Sequence, residues 1–121
     1  FHGRDLFAPV AAALATGSPI ERVPVAVASL QGHDWPELRP EVVYIDGYGN
    51  LMLGVPAEKL PENSMLRVAG RAIAHARTFS DVAPGELFWY ANSQGLVEIA
   101  ANQADAAILL SLATGDKILL D

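Results

Sequence analysis

The sequence predicts a mainly β fold, a small antiparallel barrel or sandwich with an N-terminal helix and a C-terminal helix. Three observations predict it. From Glu41 onward, short apolar segments alternate with turns rich in glycine, proline and asparagine. Two pairs of these segments flank the turns Gly47-Tyr48-Gly49-Asn50 and Asn92-Ser93-Gln94-Gly95, as the arms of hairpins do. The stretches that read as helix lie near the two ends.

Taken in order, Asp5 to Thr16 reads as the first helix. Ala11, Ala12, Ala13 and Leu14 propagate it, Gly17 suits the left-handed position just past its end, and Pro9 belongs in its first turn or at its start. Val23 to Leu30 alternates bulky and small apolar residues and is expected to be a strand. Gln31 to Pro40, with Gly32, Pro36 and Pro40, should be a loop. Glu41 to Asp46 is a strand that places Val42, Tyr44 and Asp46 on one face and Val43 and Ile45 on the other. Leu51 to Val55 returns from the Gly47–Asn50 turn. Pro56 to Asn63 has room for no more than a turn of helix. Met65 to Val68 and Ala72 to Arg77 read as weaker strands around Gly70. Glu86 to Ala91 carries the strongest strand signal, and Leu96 to Ala101 completes its hairpin. In the final helix Asn102 can cap the start, Asp105 sits near the positive end, and Gly115 closes it after Leu112.

Composition narrows the function classes. The chain has 121 residues, enough for one domain, with 51% hydrophobic and 18% charged residues, which is globular rather than disordered. Its longest apolar stretches fall well short of the roughly 20 residues of a spanning helix, so no membrane partner is expected. No basic segment followed by an apolar one opens the chain, so no secretory signal is expected, and a cytoplasmic location fits. The net charge is −6 and every Lys and Arg stands alone in sequence, which argues against nucleic acid. There is no cysteine, and hence no disulfide, thiolate metal site or thiol nucleophile. The chain opens on Phe1 rather than Met, and we expect it to be part of a longer protein.

Most chemistry-bearing patterns have a plain reading. Gly47-x-Gly49 lacks the third glycine and the following helix of a dinucleotide loop, so it is a hairpin turn. Ser93 lacks the Gly-x-Ser-x-Gly elbow and reads as a turn serine. His2, His33 and His75 have no metal-ligand spacing. His33-Asp34 should be solvated, and His75 should face a neighbour or water. Two features hold more interest. Asp46, ending a strand beside a glycine-rich turn, is either a turn cap or a ligand-facing carboxylate. His2-Gly3-Arg4-Asp5 is a dense polar patch at a helix entry.

Four segments together resemble one family. Phe1-His2-Gly3-Arg4-Asp5-Leu6-Phe7-Ala8-Pro9-Val10-Ala11-Ala12 is similar to the start of the second half of the S-adenosylmethionine hydroxide adenosyltransferases, relatives of the bacterial fluorinating and chlorinating enzymes. Val42-Val43-Tyr44-Ile45-Asp46-Gly47-Tyr48-Gly49-Asn50-Leu51 resembles their strand and turn. Thr78-Phe79-Ser80-Asp81-Val82 with Pro84-Gly85-Glu86 resembles the lead into their long strand. Asn92-Ser93-Gln94-Gly95-Leu96-Val97-Glu98-Ile99-Ala100-Ala101-Asn102-Gln103 resembles their last hairpin and helix start.

The resemblance implies that residues 1–20 end a preceding N-terminal domain and that residues 21–121 form a β-barrel-like substrate-binding domain. It implies a homotrimer with its site between subunits, and cleavage of S-adenosyl-L-methionine by water to adenosine and L-methionine without cofactor or metal. His2 matches a histidine that, with an Asp and an Arg, handles the water. Asp46 matches the residue on the methionine ammonium, and Ser93 and Gln94 match the pair on its carboxylate. Asn50 matches an adenine-side asparagine, Phe79 an aromatic against the purine, and Asn102 and Gln103 the backbone at the adenine edge. His2 with Gly3 favours water over halide, since the fluorinating relative has tyrosine and serine there. Gln94 stands where the halogenating relatives have arginine, Leu53-Gly54 where the family usually has Thr-Asn, and Phe79 lacks a hydroxyl. The alternatives are a nucleoside-binding or trimer-forming module without catalysis, and a halide-using adenosyl transferase.

Overall fold

The computed structural model describes residues 1–119, in two compact units that divide between Trp35 and Pro36. In the first, a turn of π-type winding at Gly3–Phe7 runs into helix α1 (Ala8–Ala15). Pro9 falls in the first turn of α1, directly after the π-type winding that leads into it. The helix ends as expected, with Gly17 left-handed at φ +67°. Ser18 N–H reaches Ala13 O at 2.9 Å and Gly17 N–H reaches Leu14 O at 3.2 Å, satisfying carbonyls that the helix leaves open. The expected strand at Val23 to Leu30 does not form. The backbone there holds only a 3₁₀ turn at Val27–Ser29, and Val23, Val25 and Val27 are exposed. Alternation of large and small side chains describes one strand face, but a strand also needs a neighbour for its backbone groups, and among the described residues this segment has none.

The second unit is one curled, six-stranded sheet. Its strands are β1 (Arg39–Ile45), β2 (Leu51–Pro56), β3 (Leu66–Val68), β4 (Arg71–His75), β5 (Leu87–Ala91) and β6 (Leu96–Ala101), in the order β1-β2-β6-β5-β4-β3. The mainly β expectation is thus met as an open half-barrel with a helix towards each end of the chain. All pairings are antiparallel except β4 with β5, which run parallel. The outer edge of β1 is covered by the C-terminal segment: Val42 N–H donates to Asp116 O and Ile118 N–H to Pro40 O, at 2.9 and 2.7 Å. Lys117 and Arg39 both pair with the buried carboxylate of Glu41 there, and Lys117 above all holds it below the usual carboxylate range.

One sheet face carries the main core, and a smaller cluster of Ala76, Phe88 and Ala100 lies on the other. Val42, Leu51, Leu53, Val55, Val97 and Ile99 are wholly buried, with Trp89 among them. The Trp89 ring N–H is satisfied by Ser64 O at 3.0 Å, and His75 packs against the ring at 4.7 Å, which is the neighbour its strand position required. Three details differ from expectation. Val42 pairs with Leu53 and Tyr44 with Met52, so Val43 is an extra residue in a β-bulge. Val42 and Tyr44 therefore face opposite ways, the first buried and the second exposed. The last helix, α2 (Ala106–Leu110), is capped by Asp105, whose carboxylate accepts from Ile108 N–H at 2.8 Å, and it ends on Ser111 at φ +54° rather than at Gly115. Asn102 does not cap it, because its side chain donates to Val82 O at 2.8 Å.

Candidate functional site

The Asp46 carboxylate organises the turn that follows β1. Its Oδ1 accepts from the Tyr48 and Asn50 amides at 2.8 and 2.9 Å, and its Oδ2 from Asn50 Nδ2 at 2.9 Å. Burial alone would raise its pKa, but the amides of Asn50, Tyr48 and Gly49 and the Asn50 side chain outweigh it and hold the pKa below the ordinary value. Gly49 has φ +83°, and a Cβ there would lie 2.1 Å from Asp105 Cγ. Ala107 N–H donates to Gly49 O at 3.0 Å. The turn is thus seated on the start of α2, and only glycine fits the contact.

Asp46 also faces outward, into a cleft of about 660 Å³. The turn supplies Asp46, Tyr48 and Asn50 to it. The floor is the sheet face opposite the core, because side chains alternate along a strand. On it Phe88 pairs with Ala100 and Tyr90 with Glu98. Phe79 arrives from the connection between β4 and β5, on a 3₁₀ turn at Phe79–Asp81 closed by Thr78 and Asp81, which satisfy each other's backbone N–H groups. Its ring meets Phe88 edge-on at 5.0 Å and Tyr90 at 6.2 Å.

The electrostatics come from two carboxylates. Glu98 is buried and accepts from the Tyr90 hydroxyl at 2.5 Å and from Asn92 Nδ2 at 2.9 Å. Burial, the hydrogen bond to Glu98, and the charges of Glu98 and Asp46 push the Tyr90 phenol far up, so it stays a proton donor. Among the described residues lining the cleft there is no Lys or Arg. Aromatic rings, amides and two acids suit a ligand with a flat ring and a cationic group.

Of the residues singled out from sequence, Asp46, Asn50, Phe79 and Gln103 line this one cleft. Asp46 is turn cap and cleft wall at once. Gln103 stands at φ +53°, a conformation uncommon outside glycine. Ser93 and Gln94 are exposed at the tip of the β5–β6 hairpin and do not line the cleft. Asn102 braces the segment before β5: its carbonyl accepts from Gly85 N–H at 2.7 Å and its N–H donates to Glu86 O at 3.1 Å. His2 lies exposed in the first unit, its ring 6.3 Å from that of Phe7. Tyr48, Tyr90 and Glu98 were not anticipated. A lone acid within the apolar run Leu96 to Ala101, opposite a strand with tyrosine next to its end, was the available signal.

Similarity to known proteins agrees with this architecture. Residues 40–119 match the family described as SAM hydroxide adenosyltransferase C-terminal domain. A protein of Salinispora arenicola named (R)-S-adenosyl-L-methionine hydrolase is 43% identical over 98% of this chain and 49% of its own length. The protein of that name in Thermus thermophilus is 38% identical over 95% of this chain and 46% of its own. The chain therefore spans about half the length of these relatives. An uncharacterized conserved protein from Thermotoga maritima superposes with a TM-score of 0.62 at 35% identity, over all of this chain and 52% of that one. With a matched segment that takes in every strand but the first residue of β1, and with α2 in it as well, the chain belongs to the family of S-adenosylmethionine hydroxide adenosyltransferase C-terminal domains.

Proposed function

We propose that this chain is the C-terminal half of an enzyme that hydrolyses S-adenosyl-L-methionine to adenosine and L-methionine. Water attacks carbon 5′ of the ribose, the new C–O bond forms as the C–S bond breaks, and the electron pair leaves on sulfur. The sulfonium makes that carbon reactive and the leaving group is a neutral thioether, so the protein has chiefly to align the water and exclude others. His2 orients that water or takes its proton, together with an Asp and an Arg supplied by the preceding domain, of which residues 1–20 form the end. Residues 21–121 hold the substrate. Asp46 receives the methionine ammonium, and Ser93 and Gln94 its carboxylate. Phe79 packs on the purine, and Asn50, Asn102 and Gln103 meet its edge. In this reading the sites form between subunits of a homotrimer in the cytoplasm, and no cofactor takes part.

The observation that carries the proposal is the gathering of Asp46, Asn50, Phe79 and Gln103 around one cleft with no basic lining residue among those described. Its test is product identification. The full-length protein is incubated with S-adenosyl-L-methionine, with and without chloride, and the nucleosides are resolved by chromatography and mass. Adenosine is expected under both conditions. 5′-Chloro-5′-deoxyadenosine as main product would overturn the reaction. The 121-residue chain alone should show no turnover, because most of the water-handling set lies outside it.

A further inference from the structure

Glu98 sits in β6 with 9% of its surface exposed. A carboxylate buried to that extent is costly unless both oxygens are satisfied, and an apolar residue would usually serve stability as well. Both oxygens are engaged, one by the Tyr90 hydroxyl and one by Asn92 Nδ2. The second contact decides how the Asn92 amide is oriented. With Nδ2 turned to Glu98, Oδ1 faces the turn and accepts from the Gln94 and Leu96 amides, at 3.0 Å each. Tyr90 and Glu98 are already opposite one another in the backbone register, and the main core lies on the other face.

The geometry points to Glu98 as a positioning residue. It holds the Tyr90 hydroxyl in the cleft and, through Asn92, sets the backbone of the Ser93–Gln94 turn, so that both present one fixed geometry to the substrate. The inference rests on the substrate reading above, in which that turn meets the methionine carboxylate.

The test uses steady-state kinetics of the full-length protein with S-adenosyl-L-methionine. Glu98→Gln replaces one acceptor by a donor. If the new carbonyl stays on Tyr90, the new amide confronts the Asn92 amide, donor against donor; if it reverses, Tyr90 loses its acceptor. KM should rise about tenfold while kcat stays within about threefold, as for a lost binding contact. Asn92→Asp alone sets two carboxylates together and should raise KM similarly. Combining the two substitutions restores one donor facing one acceptor and leaves the Gln94 and Leu96 amides their oxygen. The double variant should bring KM back to within about twofold of wild type.

A purely structural role would lower the melting temperature yet leave KM of the folded enzyme unchanged, and that result overturns the assignment. So does a double variant no better than the single ones. If Glu98→Gln alone does not fold, the double variant decides: recovery of wild-type KM supports the assignment, and a raised KM or failure to fold refutes it. A wild-type protein that releases no adenosine refutes the reading of the whole site, and the role of Glu98 falls with it. An active wild type with an unchanged Glu98→Gln KM refutes the role of Glu98 only.

Discussion

Replacing Gly49 by alanine tests how firmly the turn that carries Asp46 and Asn50 is tied to α2. The glycine has φ +83°, and the left-handed region costs alanine about 1 kcal/mol. The added methyl would also lie 2.1 Å from Asp105 Cγ and 2.3 and 2.4 Å from its oxygens. Either the turn moves or Asp105 leaves the amide of Ile108, and losing that cap costs about another 1 kcal/mol. The expected loss is therefore about 2–3 kcal/mol. With a urea slope of about 2 kcal/mol per molar, the unfolding midpoint falls by about 1 M or more. Circular dichroism during urea titration reads this directly. The partner experiment repeats Gly49→Ala in an Asp105→Ala background. There the clash is gone and the cap already lost, so only the backbone cost of about 1 kcal/mol should remain. Strictly additive losses, or a Gly49→Ala loss below about 0.5 kcal/mol, would show that the turn and the helix start are not coupled as described.

Two further outcomes follow from the same site. Asp46→Asn keeps an acceptor for the Tyr48 and Asn50 amides but turns a donor onto Asn50 Nδ2, and should cost about 1–2 kcal/mol at neutral pH. Because the Asp46 pKa is lowered from 3.8 on folding, the unfolded chain binds the proton first as pH falls. The Asp46 contribution is thus complete above the ordinary carboxylate pKa and disappears as pH drops through the lowered one. Urea midpoints of wild type and Asp46→Asn should therefore converge in acid; a gap independent of pH would contradict the assignment. Phe79→Ala removes a ring 41% exposed, so unfolding should become easier by only about 1 kcal/mol, while KM for the hydrolysis proposed above, measured on the full-length protein, rises about tenfold or more. A stability loss above about 3 kcal/mol with KM unchanged would make Phe79 a core residue instead.

Local chemistry made the hairpins legible. Gly49 and Gly95, both at positive φ, mark turns whose flanks are apolar, and β1, β2, β5 and β6 formed around them as expected. What failed depended on partners distant in sequence. Val23 to Leu30 had the alternation of a strand but, among the described residues, no neighbouring strand to bond to. The bulge at Val43 reversed Tyr44 with nothing in β1 itself to announce it. Asn102 looked like the cap of the last helix, but the distant carbonyl of Val82 takes its side chain and the cap falls to Asp105. The same logic holds at the cleft. Asp46 and Asn50 sit four residues apart and could be paired by eye, whereas Tyr90 and Glu98 meet only once the hairpin register is known. The register sets Ala91 opposite Val97, one step from the Ala91–Leu96 pairing that a bare four-residue turn suggests.

The parallel pairing of β4 with β5 has a consequence for what this domain can tolerate. A hairpin can be trimmed to two residues, but a chain that must re-enter its sheet in the direction it left has to retrace roughly the length of a strand first. Residues 76–86 make that return journey without an α-helix, by way of the 3₁₀ turn on which Phe79 rides. Shortening this segment therefore forces a choice between the strand order and the aromatic wall. The link from β3 to β4 and the stretch 61–64 face no such demand. Length variation among relatives should collect in those two places and avoid the return, which topology alone protects from deletion.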